Sequence, residues 1–547
     1  MSTKLSPLEA IKSKSDGLRG TLKESIEEDN YTGNIRPDDQ ALVKFHGMYV
    51  QDDRDRRAER AAKKLDKLYS FMIRLRIPGG VISADQWLST HEISEQYGTG
   101  TVKITTRQTV QLHGLLKHQL RPTIKQFNLA KLDSIAACGD VNRNVIASAH
   151  PQVSPIHQEI YEYATKISNL LLPKTKAYYE VFIDGEKIYE RSAEADPLYK
   201  DQYLPRKFKV AIAIPPSNDV DVFANDLGLI AIVEDNKLKG FNIAIGGGMG
   251  TTHGNPNTYP RLGSIIGFTD TEEKTLKALY EVLKIQHDYG NREDRKLARL
   301  KYTVDRLTVE GFRKELEDRI GFKLEPPRDF KFTERSDRYG WEQNHEGKWY
   351  YGLFVEHGVV KPDLKQFLYE VAQLKVSNFI FTGNQNLILG GISEADKAAV
   401  ENLLVEHNME KSVSALRKNS MACVALPTCP LALAESQRYL PELVSKMEPI
   451  LEKYGLTQDE ISIRMTGCPN GCGRPHVSEL AFVGTGPGQY NFLLGGDRYG
   501  TRLNKLYKEK VNEAEILEEV DRLFGQYALE RTNGETFGDY AYSRFLT

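Results

Sequence analysis

The chain has 547 residues, with 73 basic and 75 acidic side chains and a formal net charge of −2. That balance leaves no global field to gather nucleic acid, so an anionic ligand must be met by local clusters of cations. No window approaches the roughly 20 apolar residues that span a bilayer, and residues 1–7 lack an apolar signal core. A cytoplasmic protein of several domains is expected, with neither membrane nor nucleic acid as partner.

Residues 1–68 are polar and charge-dense and read as an N-terminal arm. Residues 52–64 alternate in sign, as a solvated helix or a docking surface does. From Tyr69 the texture changes. Residues 71–77 alternate like a strand, with Arg74 and Arg76 on one face, and Pro78-Gly79-Gly80 ends it. A helix is predicted over 84–97, then strands over 102–106 and 109–113. Helices and strands go on alternating to Tyr302, an α+β or α/β texture, and 207–214 is the clearest strand, with Lys207 and Lys209 on one face. Arg292, Arg295, Arg299 and Tyr302 fall at helical spacing and predict a basic helix. Gly246-Gly247-Gly248 permits close backbone approach, but neither a dinucleotide fingerprint nor a Walker lysine accompanies it, so no nucleotide site is expected.

Two internal repeats organise the chain. Residues 104–115 align without gaps on 381–392, placing Arg107 opposite Asn384, and 241–247 resemble 490–496. The order A–B–A′–B′ predicts a duplicated unit with a pseudo-two-fold axis. Its chemistry is unequal, because cysteines stand in the second B copy where the first carries Pro216-Ser217-Asn218. One active site per pair follows.

Four of the five cysteines make that difference: Cys423 and Cys429 are spaced C-x5-C, Cys468 and Cys472 C-x3-C. Thiolates on Pro- and Gly-rich turns suit a 4Fe–4S cluster. Zinc and unligated buried thiols remain open readings, although zinc ribbons use tighter knuckles. Cys138 has no partner in sequence and reads as a buried thiol; His46 and His113 read as structural histidines. Arg74, Arg107, Arg143, Lys207 and Lys209 recur on or beside strands of a chain without net positive charge. Their repetition predicts a convergent anion pocket.

On these motifs the chain resembles the haemoprotein subunits of NADPH-dependent assimilatory sulfite reductases, within the sulfite/nitrite reductase superfamily. The residues that carry the resemblance include Phe45-His46-Gly47-Met48-Tyr49, Asp52-Asp53-Arg54-Asp55, Arg107-Gln108, Asn142-Arg143-Asn144, Arg206-Lys207-Phe208-Lys209 and both cysteine pairs. It implies an α+β fold duplicated about a pseudo-two-fold: ferredoxin-like half-domains at 69–135 and 336–410, siroheme/4Fe–4S domains at 136–335 and 411–547, and the arm at 1–68. It implies a cluster on Cys423, Cys429, Cys468 and Cys472, with Cys472 also bridging to siroheme iron. Arg74, Arg143, Lys207 and Lys209 would bind sulfite, with the lysines and ordered water as proton donors. Arg107, His113, Lys301 and Asn470 would contact siroheme, whose eight carboxylates call for buried cations. The implied reaction is the six-electron reduction of sulfite to sulfide, fed by a separate flavoprotein carrying FAD and FMN. The alternatives are a siroheme nitrite reductase and, from another class, an iron–sulfur electron carrier or a zinc-stabilised interaction protein without catalysis.

Overall fold

A computed structural model describes residues 5–174, 180–183, 186–190, 196–200 and 202–546. The first strands are β1 (Met48–Asp52), β2 (Tyr69–Arg74), β3 (Val81–Ile82), β4 (Val102–Ile104) and β5 (Val110–Leu115). One antiparallel sheet runs β1-β2-β5-β4 and ends on Val359–Val360 from the second half. Its counterpart runs Gly340–Gln343, Trp349–Leu353, Leu387–Ile392, Asn378–Phe381 and ends on β3 from the first half. The two sheets thus exchange an edge strand, which covers an otherwise open edge on each.

Strand alternation sorts the first sheet into two faces. Register sets Tyr49 opposite Met72, and Gln111 opposite both Arg74 and Lys103, on the polar face. Met48, Ile73, Leu112 and Val102 line the other face, which joins the main core. The helix Ala84–Tyr97 has the predicted bounds; Ser83 and Gln86 form its capping box, and Trp87 stacks on Phe379.

The remaining repeat forms two further sheets. Ile146–Ala147, Val210–Ala213, Leu227–Glu234, Lys237–Ile245 and Ser264–Thr269 are matched by Ser420–Ala422, Ile463–Thr466, Leu480–Gly486, Gln489–Leu494 and Lys505–Val511. Val210 pairs in parallel with Leu227, as Ile463 does with Leu480, so the intervening segments are equal in length. The duplication is present. Among the described residues no helix is long and apolar enough to cross a membrane.

Three expectations change. The strand at 207–214 is confined to Val210–Ala213, and Lys207 and Lys209 stand on its extended lead-in, where Phe208 bridges to Asn142. The basic helix is broken: Gly290 ends Glu272–Tyr289, and a 3-10 turn, Arg295–Leu297, precedes the helix Leu300–Leu307. Its arginines diverge because each finds a carboxylate on a different segment: Arg292 on Glu9, Arg295 on Asp140 and Arg299 on Asp226. The arm is not peripheral throughout. Its residues 48–52 are β1, and Lys12 is buried between Glu9 and Asp140.

Candidate active site and metal centre

The cysteines sit on the turns that follow matched strands. Cys423 follows Ser420–Ala422, and its amide donates to Met465 O; Cys468 and Cys472 follow Ile463–Thr466. Gly467 must be glycine, since a Cβ there would lie 2.5 Å from Ala434 O; its amide donates to Cys423 Sγ at 3.3 Å. Asn470 Nδ2 donates to Cys468 Sγ at 3.5 Å. Arg54 Nη1 ties the remaining loop by donating to Cys429 O and Ala432 O. Cys472 alone is exposed.

Burial and the neighbouring thiols push Cys423 up to about 12 and Cys468 up to about 11. Thiols that raise one another's pKa favour a cationic iron–sulfur core over bare thiolates. Among the described residues no three His, Cys, Asp or Glu side chains gather tightly enough for a single ion. The four cysteines nonetheless all lie within electrostatic range, Cys472 acting on each of the other three.

The glycine-rich loop packs on this turn. Thr251 N donates to Pro469 O at 2.8 Å, and a Cβ on Gly471 would meet Met249 O at 2.9 Å. Lys301 is wholly buried and donates to the carbonyls of Gly248, Gly250 and Tyr259. It therefore braces the loop, and burial and Arg299 lower it to about 7. The loop's close approach is to the cysteine turn, which accounts for its glycines without a phosphate.

The cations divide into paired and unpaired. Arg76, expected beside Arg74, is taken by Asp133 at 2.6 Å. Arg107 donates to Asn225 Oδ1 and to the carbonyls of Asn144 and Val210, leaving its buried Nε without a partner. Among the described residues Arg74 meets no carboxylate; it donates to Gln111 Oε1 and, at 3.4 Å, to Cys138 Sγ. Arg143 donates to Gly139 O and Ala137 O and lies within electrostatic reach of Tyr49. Among the described residues Lys207 and Lys209 have no ion pair or side-chain hydrogen bond. Both keep some solvent access while surrounded by protein, as groups lining a recess do. Burial, then Arg206 and Arg299, bring Lys207 down to about 7; burial and then Lys207 also lower Lys209 well below the ordinary lysine range. Cys472 opposes both shifts, which puts the exposed thiol within electrostatic reach of the two lysines.

This set fits a polycarboxylate macrocycle and an oxyanion. Desolvated cations lacking carboxylates have anions as their natural complement. The equivalent recess in the other half is different. Strand register makes Lys418, Glu460 and Ser462 the counterparts of Arg143, Lys207 and Lys209, and with Asn384 they line a cavity of about 30 Å³. That holds little more than one or two waters, and Glu460 puts an acid where the first half has Lys207, so this second recess is not built for a large anion.

Sequence reasoning missed Tyr49, Gln51 and Gln111 as site residues, and with them the partners of His113. His113 Nδ1 lies 2.9 Å from Gln51 Oε1, and its Nε2 lies 3.0 Å from Gln111 Nε2. Tyr49, Gln51 and Gln111 are polar residues alternating along β1 and β5; only that alternation could have flagged them. Cys138 accepts from Arg74 rather than joining the other cysteines.

Two family profiles match the chain. The nitrite/sulfite reductase ferredoxin-like half domain covers residues 63–130 and 342–407, and the nitrite and sulphite reductase 4Fe-4S domain covers 162–324, the copy without the paired cysteines. A sulfite reductase (NADPH) hemoprotein beta-component from Leptospira biflexa is 57% identical over 97% of both chains. One from Staphylococcus haemolyticus is 51% identical over 98% of this chain and 94% of its own. The solved Mycobacterium tuberculosis NirA protein superposes with a TM-score of 0.80 at 23% identity, covering 99% of this chain and 96% of that one. That likeness establishes the fold.

Proposed function

The chain belongs to the nitrite and sulphite reductase family, and we propose that it is the haemoprotein component of an NADPH-dependent assimilatory sulfite reductase that reduces sulfite to sulfide. Its cofactors are siroheme and a 4Fe–4S cluster. The observation that carries the reading is the unpaired Lys207–Lys209 pair within electrostatic reach of the exposed Cys472 thiol.

When bound, the two cofactors supply single-electron transfer and the iron that takes the substrate's sulfur. Cys423, Cys429, Cys468 and Cys472 would hold the cluster, and Cys472, the exposed one, would also help hold the siroheme. Asn470 steadies Cys468, and Lys301 steadies the loop beside it. Arg107, with one donor still unpartnered, is the cofactor-facing arginine. Arg74, Arg143, Lys207 and Lys209 bind the oxyanion and offset its charge as S–O bonds weaken. Lys207, lowered to about 7 by burial, can hold a proton and release it near neutrality, which an arginine cannot.

The electrons come from NADPH through a separate flavoprotein carrying FAD and FMN, in the cytoplasm. The relatives' designation as a beta-component supports such a partner. The test uses purified protein with siroheme absorption bands, iron and acid-labile sulfide. It is expected to make sulfide from sulfite with reduced methyl viologen, and to stay inert with NADPH until the flavoprotein is added. A higher kcat/KM for nitrite than for sulfite would replace this assignment with nitrite reduction, and a colourless protein would end it.

A further inference from the structure

Strand β1 lies in the segment expected to be an outer arm, yet its polar side chains point toward the distal arginines. Tyr49 and Gln51 are two apart on one strand and therefore share a face. Register puts that face in line with Arg74 on β2 and Gln111 on β5. Gln51 and Gln111 are buried, 6% and 3% exposed, and a buried amide is retained where its hydrogen bonds are specific.

The hydrogen bonds have a fixed direction. Arg74 has only donors, and its Nε and Nη2 both donate to Gln111 Oε1. Gln111 must then present its NH2 group to His113 Nε2, which accepts. His113 therefore carries its proton on Nδ1 and donates it to Gln51 Oε1. Burial, with Lys103 and Arg74 nearby, holds His113 down to about 3, so the ring is neutral as this polarity requires. Tyr49 faces the second arginine on the same polar side of the sheet, and its hydroxyl lies within electrostatic reach of Arg143. Lys44 sits over the Tyr49 ring at 5.7 Å.

We propose that Tyr49 and Gln51 are positioning residues for the oxyanion pocket: Tyr49 sets Arg143, and Gln51 sets Arg74 through the chain His113–Gln111. This rests on the reading that Arg74 and Arg143 bind the oxyanion. It gives His113 a role in orienting an arginine rather than contacting siroheme, and makes β1 the back wall of the site. Arginines without carboxylate partners have no ion pair to hold them, so neutral hydrogen bonds must fix their direction.

The test uses the holoenzyme, with sulfite KM measured by viologen turnover and sulfite Kd by the change in siroheme absorption. Tyr49→Phe is isosteric and is expected to fold, keep its siroheme bands, and raise KM and Kd about tenfold, the scale of one polar contact to a charged group. Gln51→Leu should do the same with kcat little changed. Gln51→Glu keeps an acceptor for His113 Nδ1–H and should bring KM back toward wild type. Wild-type KM and Kd in Tyr49→Phe and Gln51→Leu, with raised values in Arg74→Ala and Arg143→Ala, overturns the proposal and leaves the oxyanion reading standing. Wild-type values in the arginine variants as well overturn both.

Discussion

Arg474 Nε donates to Asp221 Oδ2, and the two residues are counterparts in the duplicated halves. Each has left-handed backbone, φ +53° and +48°, immediately before a 3-10 turn, Pro475–Val477 and Val222–Ala224. Asp221 also accepts from Arg335 and Arg464, at 2.7 and 2.6 Å. Arg474 donates to Thr106 O and Gly383 O, one on the turn of each ferredoxin-like half. This ion pair joins the halves at the pseudo-two-fold, two residues from Cys472.

Asp221→Asn is expected to leave three buried guanidinium groups without their shared counter-charge. Breaking a buried pair from one side costs about 3–5 kcal/mol, which denaturant unfolding would measure. The three arginines hold the Asp221 carboxyl well below the usual carboxylate range despite burial. A depressed folded pKa contributes stability that is present above the unfolded value near 3.8 and lost as pH falls toward the folded one. The mutant's stability should therefore change less with pH below about 4 than wild type. An unchanged acid dependence would remove the triad from the account of stability.

Cys423, Cys429, Cys468 and Cys472 are expected to be needed together for the cluster. Cys472→Ser should lose acid-labile sulfide and the normal siroheme spectrum. Cys138→Ser should retain both, since its sulfur accepts from Arg74 and lies apart from the cluster turns; an effect on sulfite KM alone is compatible with that position. Loss of iron in Cys138→Ser would refute the assignment of ligands.

Lys207 near a pKa of about 7 couples anion binding to proton uptake. An oxyanion favours the ammonium form, so affinity should weaken as pH rises above about 7. Lys207→Arg stays charged, and the ratio of wild-type to mutant Kd isolates this effect from sulfite's own titration. The mutant should bind sulfite with less pH dependence yet turn over more slowly, for want of a proton donor. Equal turnover in the two proteins would assign the proton to another group.

A free docking arm before Lys44 would, on removal, cost only flavoprotein-supported turnover. The buried network of Glu9, Lys12, Asp140, Arg292 and Arg295 changes that expectation. Truncation should leave Arg292 without Glu9 and remove Lys12 from beside Asp140, lower the melting temperature and reduce viologen-supported and flavoprotein-supported turnover together. Viologen turnover at the wild-type level would show that the network is dispensable. The exposed helix Arg57–Ala62 is the better part of the segment for a donor contact.

The sequence by itself determined the local chemistry. The cysteine spacing, the glycines that let their turns close, the repeat and the capped helix Ala84–Tyr97 are set by residue types within a few positions of one another. It could not say which cations are free. Arg74 and Arg76 look alike on one strand, but Asp133 neutralises one and not the other. Arg292, Arg295 and Arg299 form a helical pattern whose partners, Glu9, Asp140 and Asp226, come from three remote segments. Nor could it place β1 behind the site or Cys138 against Arg74. A buried charge is defined by what packs against it, and in this protein those neighbours are distant in the chain, so only tertiary structure separates cations spent on the fold from those left for an anion.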